Sequence, residues 1–231
     1  KYINDDPYFK NYNTQKANQI LTEAISYLSK NTDFENFDRI EFYKKYIQPL
    51  YEELGKWDGR PDDLKEFSGW NVGNKNFFSS DFLDPYFYTL LKSSEDNPEL
   101  RNLGKSIFYD QNLSGSEKMS CATCHLQENA FTDLKAKSQS NVEGKTVLRN
   151  SPSLYNAVFA KRFFYDLRAF YLVQQAEHVI YNDQEFNTSY ESIIQKLKTK
   201  PEYKKAFRAA FKDGKISKEN FSKALSSYVA S

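Results

Sequence analysis

The sequence predicts an all-α fold. Apolar residues recur at helical spacing in one segment after another, N-cap and proline signals open several of those segments, and alternating strand patterns are almost absent. Residues 13–30 read as an amphipathic helix, with Ile20, Leu21, Ala24, Ile25 and Leu28 at helical spacing. Residues 38–55 repeat the pattern through Tyr43, Tyr46, Ile47, Leu50, Tyr51 and Leu54, with Gly55 as the expected stop. The short polar stretch Asn31-Thr32-Asp33 between them predicts a helical hairpin with a packing role. From Lys56 to Asn97, repeated Gly and Pro punctuate an irregular connector that should pack as short turns on Phe77, Phe78, Phe82, Tyr86, Phe87 and Tyr88. A second unit opens at Asn97 as N-cap, with Pro98 at the first helical position and Glu99 favouring the helix dipole. Leu100, Leu103, Ile107 and Phe108 form its stripe. Three further helices follow. Tyr190 to Lys198 carries Ile193, Ile194 and Leu197. Pro201 opens the next, which presents Tyr203, Phe207, Ala210 and Phe211 before Gly214. Ser217 caps the last, with Ile216 and Phe221 spaced as a hydrophobic staple.

Composition narrows the function. The 231 residues suffice for one large domain, or for a core domain with an extension. Lys+Arg 32 against Asp+Glu 31 leaves a formal charge of +1, so no basic nucleic-acid footprint is expected. Mean hydropathy is −0.76, and no run approaches the roughly 18 apolar residues of a membrane span. Aromatic residues at 16% supply large side chains to bury, which argues against disorder. Two cysteines are too few for a disulfide scaffold. The amino end, Lys1-Tyr2-Ile3-Asn4-Asp5-Asp6, has neither an apolar run nor an initiator Met, and reads as a mature or trimmed chain.

Cys121-Ala122-Thr123-Cys124-His125 is the C-x-x-C-H arrangement of covalently attached c-type haem. Two thiols one helical turn apart can add to the vinyl groups on one porphyrin edge, and the next imidazole can reach the iron. Zinc would need four ligands, and only His178 remains to join the cluster. A thioredoxin-like thiol pair expects an α/β context, and a plain disulfide needs no histidine.

The surrounding motifs carry a resemblance. Leu103-Gly104-Lys105-Ser106-Ile107-Phe108-Tyr109-Asp110 and Leu113-Ser114-Gly115 precede the cysteines; Ala130-Phe131-Thr132-Asp133, Leu148-Arg149-Asn150-Ser151-Pro152-Ser153-Leu154 and Arg162-Phe163-Phe164-Tyr165-Asp166-Leu167-Arg168 follow. This succession resembles the amino-terminal haem domain of the bacterial dihaem cytochrome c peroxidases, including the methylamine-utilisation dihaem enzymes. The resemblance implies a cytochrome c-like haem domain over 97–231, behind an amino-terminal helical extension and connector over 1–96. It implies Cys121 and Cys124 as thioether anchors, His125 as proximal iron ligand, and Gln175 and Glu185 as the distal amide and carboxylate. Asn150 matches an asparagine that contributes to a calcium site, and Tyr165 a position that often holds an aromatic between two haems. A carboxylate such as Glu185 near the open iron face can accept and redeliver the proton that peroxide cleavage requires. An amide such as Gln175 can hold the peroxide without adding charge.

Two departures shape the expectations. Residues 126–148 contain no histidine or methionine, which suggests an open sixth iron position, as in the methylamine-utilisation enzymes. Met119 reads as a loop side chain, and His178 as a surface or pocket-lining residue. There is one C-x-x-C-H, so an electron-entry haem domain is missing and the chain is expected to be a fragment of a dihaem enzyme. The expected function is reduction of hydrogen peroxide to water, with one covalent haem c and electrons from a small redox protein such as a cytochrome. The expected setting is the periplasm or cell envelope. The alternatives are a monohaem electron-transfer cytochrome, haem-dependent oxidation of a protein partner, or a haem-free interaction module acting through residues 1–96.

Overall fold

A computed structural model describes residues 13–57, 69–71, 76, 78–87, 89 and 91–231. The chain divides into two compact units, Lys1–Asp84 and Pro85–Ser231. The described residues are helices and turns, with isolated bridges at Trp70–Leu83, Gln139–Thr146 and Phe163–Ala169 and no extended strand.

In the first unit, α1 is Gln15–Lys30. It packs on a narrow stripe of Ala17, Ile20 and Ala24, while Ile25 and Leu28 of the expected apolar face stay 63% and 45% exposed. Small side chains at that spacing let the helix approach its neighbour closely, so the wider face is not used. The second predicted helix is continuous but changes geometry along its length. It runs as α2 (Arg39–Phe42), a π turn at Tyr43–Ile47, and α3 (Gln48–Leu54). Pro49 explains the change, because its missing N–H cannot continue a regular ladder and the wider turn before it absorbs the defect. Gly55 is not a left-handed stop: its φ is −64°, and the chain tightens into a 3₁₀ turn at Gly55–Trp57. The Tyr27 ring meets Phe37, Phe42 and Tyr46 at centroid distances of 6.0, 5.8 and 5.3 Å, closing the hairpin around aromatic contacts. Of the connector anchors, Phe77 and Tyr88 lie outside the described residues. Phe78 is 80% exposed, although its ring meets Tyr43 edge-on.

The second unit begins before the expected boundary at 96/97. Leu91 is buried in its core, and Tyr86 packs against that core. The Asp96 carboxylate binds Tyr86 Oη at 2.7 Å and Arg101 Nη2 at 2.6 Å, and accepts the Ser227 hydroxyl. Segment 85–96 is thereby tied to the helices on either side of the haem motif.

Those helices form as the local signals direct. In α4 (Pro98–Tyr109), Asn97 Oδ1 accepts the Leu100 amide at 2.8 Å. The short α5 (Cys121–Cys124) and α6 (Leu172–Tyr181) carry the candidate site. Then come α7 (Tyr190–Thr199), α8 (Pro201–Ala210) and α9 (Lys218–Ala230). Ser217 Oγ accepts the Asn220 amide at 3.2 Å, and Ile216 and Phe221 both join the core. The core centres on α4, α7, α8 and α9, with Leu100, Leu103, Ile193, Leu197, Phe207 and Ala224 essentially inaccessible. Gly104 sets the spacing of α4 and α9: a Cβ there would lie 2.0 Å from the Ala224 carbonyl oxygen. Met119 is buried in this core at 4% exposure, so it packs.

Candidate haem and peroxide site

The C-x-x-C-H segment folds as a single helical turn. The Ser120 N–H donates to Thr123 Oγ1 at 2.9 Å, and the His125 N–H to the Cys121 carbonyl at 2.9 Å. Both cysteines are free and half-buried. Burial pushes the Cys121 thiol up to about 12. Burial, reinforced by the Asp133 and Glu185 carboxylates, pushes Cys124 up to about 11. The two thiols therefore stay protonated at neutral pH.

His125 is oriented by backbone. Its Nδ1 lies 2.8 Å from the Phe131 carbonyl oxygen; a carbonyl can only accept, so Nδ1 carries the proton and Nε2 keeps its lone pair. Ala130 and Phe131 reach that position with φ of 57° and 59°, left-handed conformations unusual for side-chain-bearing residues. Burial lowers the pKa of His125, with the carbonyls of Phe131 and Pro152 acting the other way. A neutral imidazole with a free Nε2 is the form that ligates iron.

The strained loop is held from across the chain. Ser151 Oγ donates to the Cys124 carbonyl at 2.6 Å and accepts the Asp133 amide at 3.2 Å. Thr132 Oγ1 donates to the Ser151 carbonyl and Ser153 Oγ to the Ala130 carbonyl, each at 2.6 Å. Asn150 is exposed beside this clamp, and Tyr165 is 83% exposed with the Arg149 guanidinium 4.7 Å above its ring. The motif was visible in sequence, but the clamping roles of Ser151 and Ser153 were not. Their one sequence signal is a pair of short hydroxyl side chains around a proline that itself has no N–H.

Glu185 lines a cavity of about 630 Å³ with Phe164, Arg168, Gln174, Glu177, His178, Tyr181 and Asn182. Asn182 Nδ2 donates to Glu185 Oε2 at 2.9 Å, fixing the carboxyl group in a turn just after α6. Burial raises the Glu185 pKa, opposed by the Asn182 bond and the Arg168 charge. His178 also lines the cavity, its ring edge-on to Phe164 at 5.3 Å. Gln175 is half-buried on α6 and is not among the cavity residues. The neighbouring Gln174 lines the cavity, but its Oε1 accepts the Phe170 and Tyr171 amides at 2.7 and 3.2 Å and caps α6.

The donor set fits a covalent haem c. It offers two unpaired thiols one turn apart and a neutral imidazole with one nitrogen free. The Glu185 charge is one of those that raise the Cys124 pKa. Among the described residues, no group of three or more His, Cys, Asp or Glu side chains gathers to hold a bare metal ion.

Comparison with known proteins agrees with that chemistry. A family model described as di-haem cytochrome c peroxidase matches residues 98–231. The chain is 38% identical over 148 residues to the cytochrome c551 peroxidase of Pseudomonas aeruginosa, covering 63% of this chain and 42% of that protein. It is 34% identical over 135 residues to the methylamine utilization protein MauG of Methylophilus methylotrophus, covering 56% and 38%. A crystal structure of a MauG-like protein associated with microbial copper homeostasis superposes with a TM-score of 0.58 at 26% identity, over 67% of this chain and 46% of that one. The diheme peroxidase BthA of Burkholderia thailandensis shares the fold, with a TM-score of 0.53 over 64% and 41% of the two chains. The chain thus spans less than half the length of these relatives. The family match covers more than half of the chain and includes both the C-x-x-C-H turn and Glu185, so the chain belongs to the di-haem cytochrome c peroxidase family.

Proposed function

We propose that residues 97–231 form a haem c domain that reduces hydrogen peroxide to water. What supports this reading is a C-x-x-C-H turn whose His125 Nε2 keeps its lone pair, together with the half-buried Glu185 carboxyl group, whose charge is felt at Cys124. Cys121 and Cys124 would anchor one haem by thioether bonds, and His125 Nε2 would ligate its iron. When bound, the haem supplies a metal centre that coordinates peroxide and takes up its oxidising equivalents. The chain's own part is proton management. Peroxide reduction takes two protons and two electrons to give two waters. Glu185 would accept the proton from the inner peroxide oxygen and return it to the outer one, while Asn182 holds its carboxyl group in place. The raised Glu185 pKa suits this exchange, because it brings the carboxyl group nearer to neutral pH. Gln175 remains a candidate peroxide-holding amide, which would require its side chain to turn toward the cavity. Asn150, exposed as it is, offers one oxygen to a calcium ion whose other ligands lie elsewhere.

Electrons would come from a small redox protein, and the setting would be the periplasm or cell envelope, where c-type haem is attached. No helix among the described residues is long and apolar enough to cross a membrane. The test is Glu185→Gln in haem-loaded protein. Peroxide reduction should fall by about 10²- to 10⁴-fold with haem content unchanged; an unchanged rate would remove the assigned role.

A further inference from the structure

Beside His125 the structure places a row of aromatic rings, none of which lines the Glu185 cavity, that reaches the surface at Tyr109. Phe108 lies 6.5 Å from the His125 ring, and 5.1 Å from Tyr228. Tyr109 lies 5.4 Å from Phe108 and 6.4 Å from Tyr228, and is 40% exposed. The Tyr109 hydroxyl donates to Gln127 Oε1 at 3.2 Å, two residues beyond His125. The Tyr109 and Tyr228 rings meet edge-on, and burial, with the neighbouring Tyr109 phenol, raises the Tyr228 pKa. The close approach of α4 and α9 at Gly104 is what brings these rings together.

We propose that Tyr228 and Tyr109 form an oxidisable pair that carries an oxidising equivalent from the His125 side of the site to the protein surface. The inference rests on the peroxidase reading and adds a path to it. Phenylalanine is hard to oxidise, so Phe108 serves as a packed bridge. A tyrosine loses its electron readily only if its hydroxyl proton can leave with it. The half-exposed Tyr109 phenol, bonded to Gln127 and in edge-on contact with the Tyr228 ring, provides that exit. The balance closes with peroxide as oxidant. Each event removes one electron and one hydroxyl proton from the pair and leaves a neutral tyrosyl radical. Two events supply the two electrons and two protons that convert one hydrogen peroxide to two waters. A one-electron donor at the surface, with a proton from solvent, then restores each phenol.

The test is rapid-freeze electron paramagnetic resonance of the haem-loaded chain mixed with hydrogen peroxide, with peroxide consumption followed in parallel. A tyrosyl signal should form in the parent protein and in Tyr155→Phe, and should be lost in the Tyr109→Phe/Tyr228→Phe double variant. Peptide mass spectrometry should find oxidised or cross-linked tyrosine at 109 or 228 in the parent and in Tyr155→Phe. Phenylalanine keeps both rings, so packing is preserved, and circular dichroism with haem content checks this. Consumption of peroxide without a tyrosyl signal, or with a signal that survives in the double variant, overturns the relay alone. Absence of peroxide consumption in the haem-loaded parent overturns the peroxidase reading and the relay with it.

Discussion

Gly104→Ala should destabilise the second unit although alanine is the better helix former. Gly104 stands inside α4, where exchange for alanine ordinarily gains about 1 kcal/mol. The added Cβ would lie 2.0 Å from the Ala224 carbonyl oxygen and 2.8 Å from Tyr228 Cβ. A carbon and a carbonyl oxygen rest at about 3.3 Å or more, so α4 and α9 must separate by roughly 1 Å. The obstructing atom is backbone and cannot rotate away. Overpacking of a core costs typically about 1–3 kcal/mol, and a backbone clash belongs at the upper end. The net expectation is a loss of about 1–2 kcal/mol, read as a lower urea midpoint with an unchanged slope. Gly144→Ala is the comparison: nothing lies within 4 Å of its Cβ, so only the strain of its φ of 75° is charged, about 1 kcal/mol. Equal or greater stability for Gly104→Ala than for the parent would refute the close approach of α4 and α9. The aromatic row beside His125 would lose its structural basis with it.

Three further outcomes are expected. Ser151→Ala strips a partner from both the Cys124 carbonyl and the Asp133 amide. It should cost about 2–6 kcal/mol in urea unfolding, since each of the two groups that lose their partner costs about 1–3 kcal/mol. Asp110 is held below the ordinary carboxylate range: burial acts against this, but the hydrogen bonds from Asn112, Lys200 and Tyr203 outweigh it. Its contribution is thus complete above the unfolded pKa, near 4, and is lost as pH falls through the lower folded value. Asp110→Asn should be less stable at neutral pH and show a shallower acid limb in a pH series of urea midpoints. Glu185 has the opposite sign. Burial raises its folded pKa, so its ionisation weighs against folding as pH rises through that value. Glu185→Gln should be as stable as the parent or more so at neutral pH, in the same preparation whose peroxide reduction has fallen. Lower stability there would mean that the carboxylate is structural.

What could be read from sequence is what local chemistry decides. Asn97 and Ser217 cap their helices because a side-chain oxygen reaches an amide three residues on, a relation contained within one turn. The C-x-x-C-H turn is likewise local, and its three donor groups present themselves as spacing requires. Contacts between distant segments were not legible. Ser151 reaches back 27 residues to Cys124, and Ser153 reaches back 23 to Ala130; nothing in either neighbourhood marks those partners. The sequence also could not choose between Gln174 and Gln175. They are identical side chains separated by one helical step, and only the packing of α6 decides which one lines the cavity. The boundary at 96/97 fell late for a related reason. Asn97 is a clear helix start, but Asp96 is bonded to Ser227 at the far end of the chain and Leu91 is buried in the core of the second unit. Pro49 was visible in the sequence, yet its effect, a π turn within a continuous helix, depends on a backbone adjustment that apolar periodicity does not register.

The most direct test of the account is haem attachment itself. The chain should be produced in a host that attaches c-type haem, and analysed by reduced pyridine haemochrome spectroscopy and by mass spectrometry of the peptide spanning 121–125. A haem c spectrum and one haem on that peptide are expected, with both lost in Cys121→Ala/Cys124→Ala. The ferric protein should give a high-spin spectrum that responds to peroxide. A featureless visible spectrum, with unmodified cysteines in material from a competent host, would contradict the account.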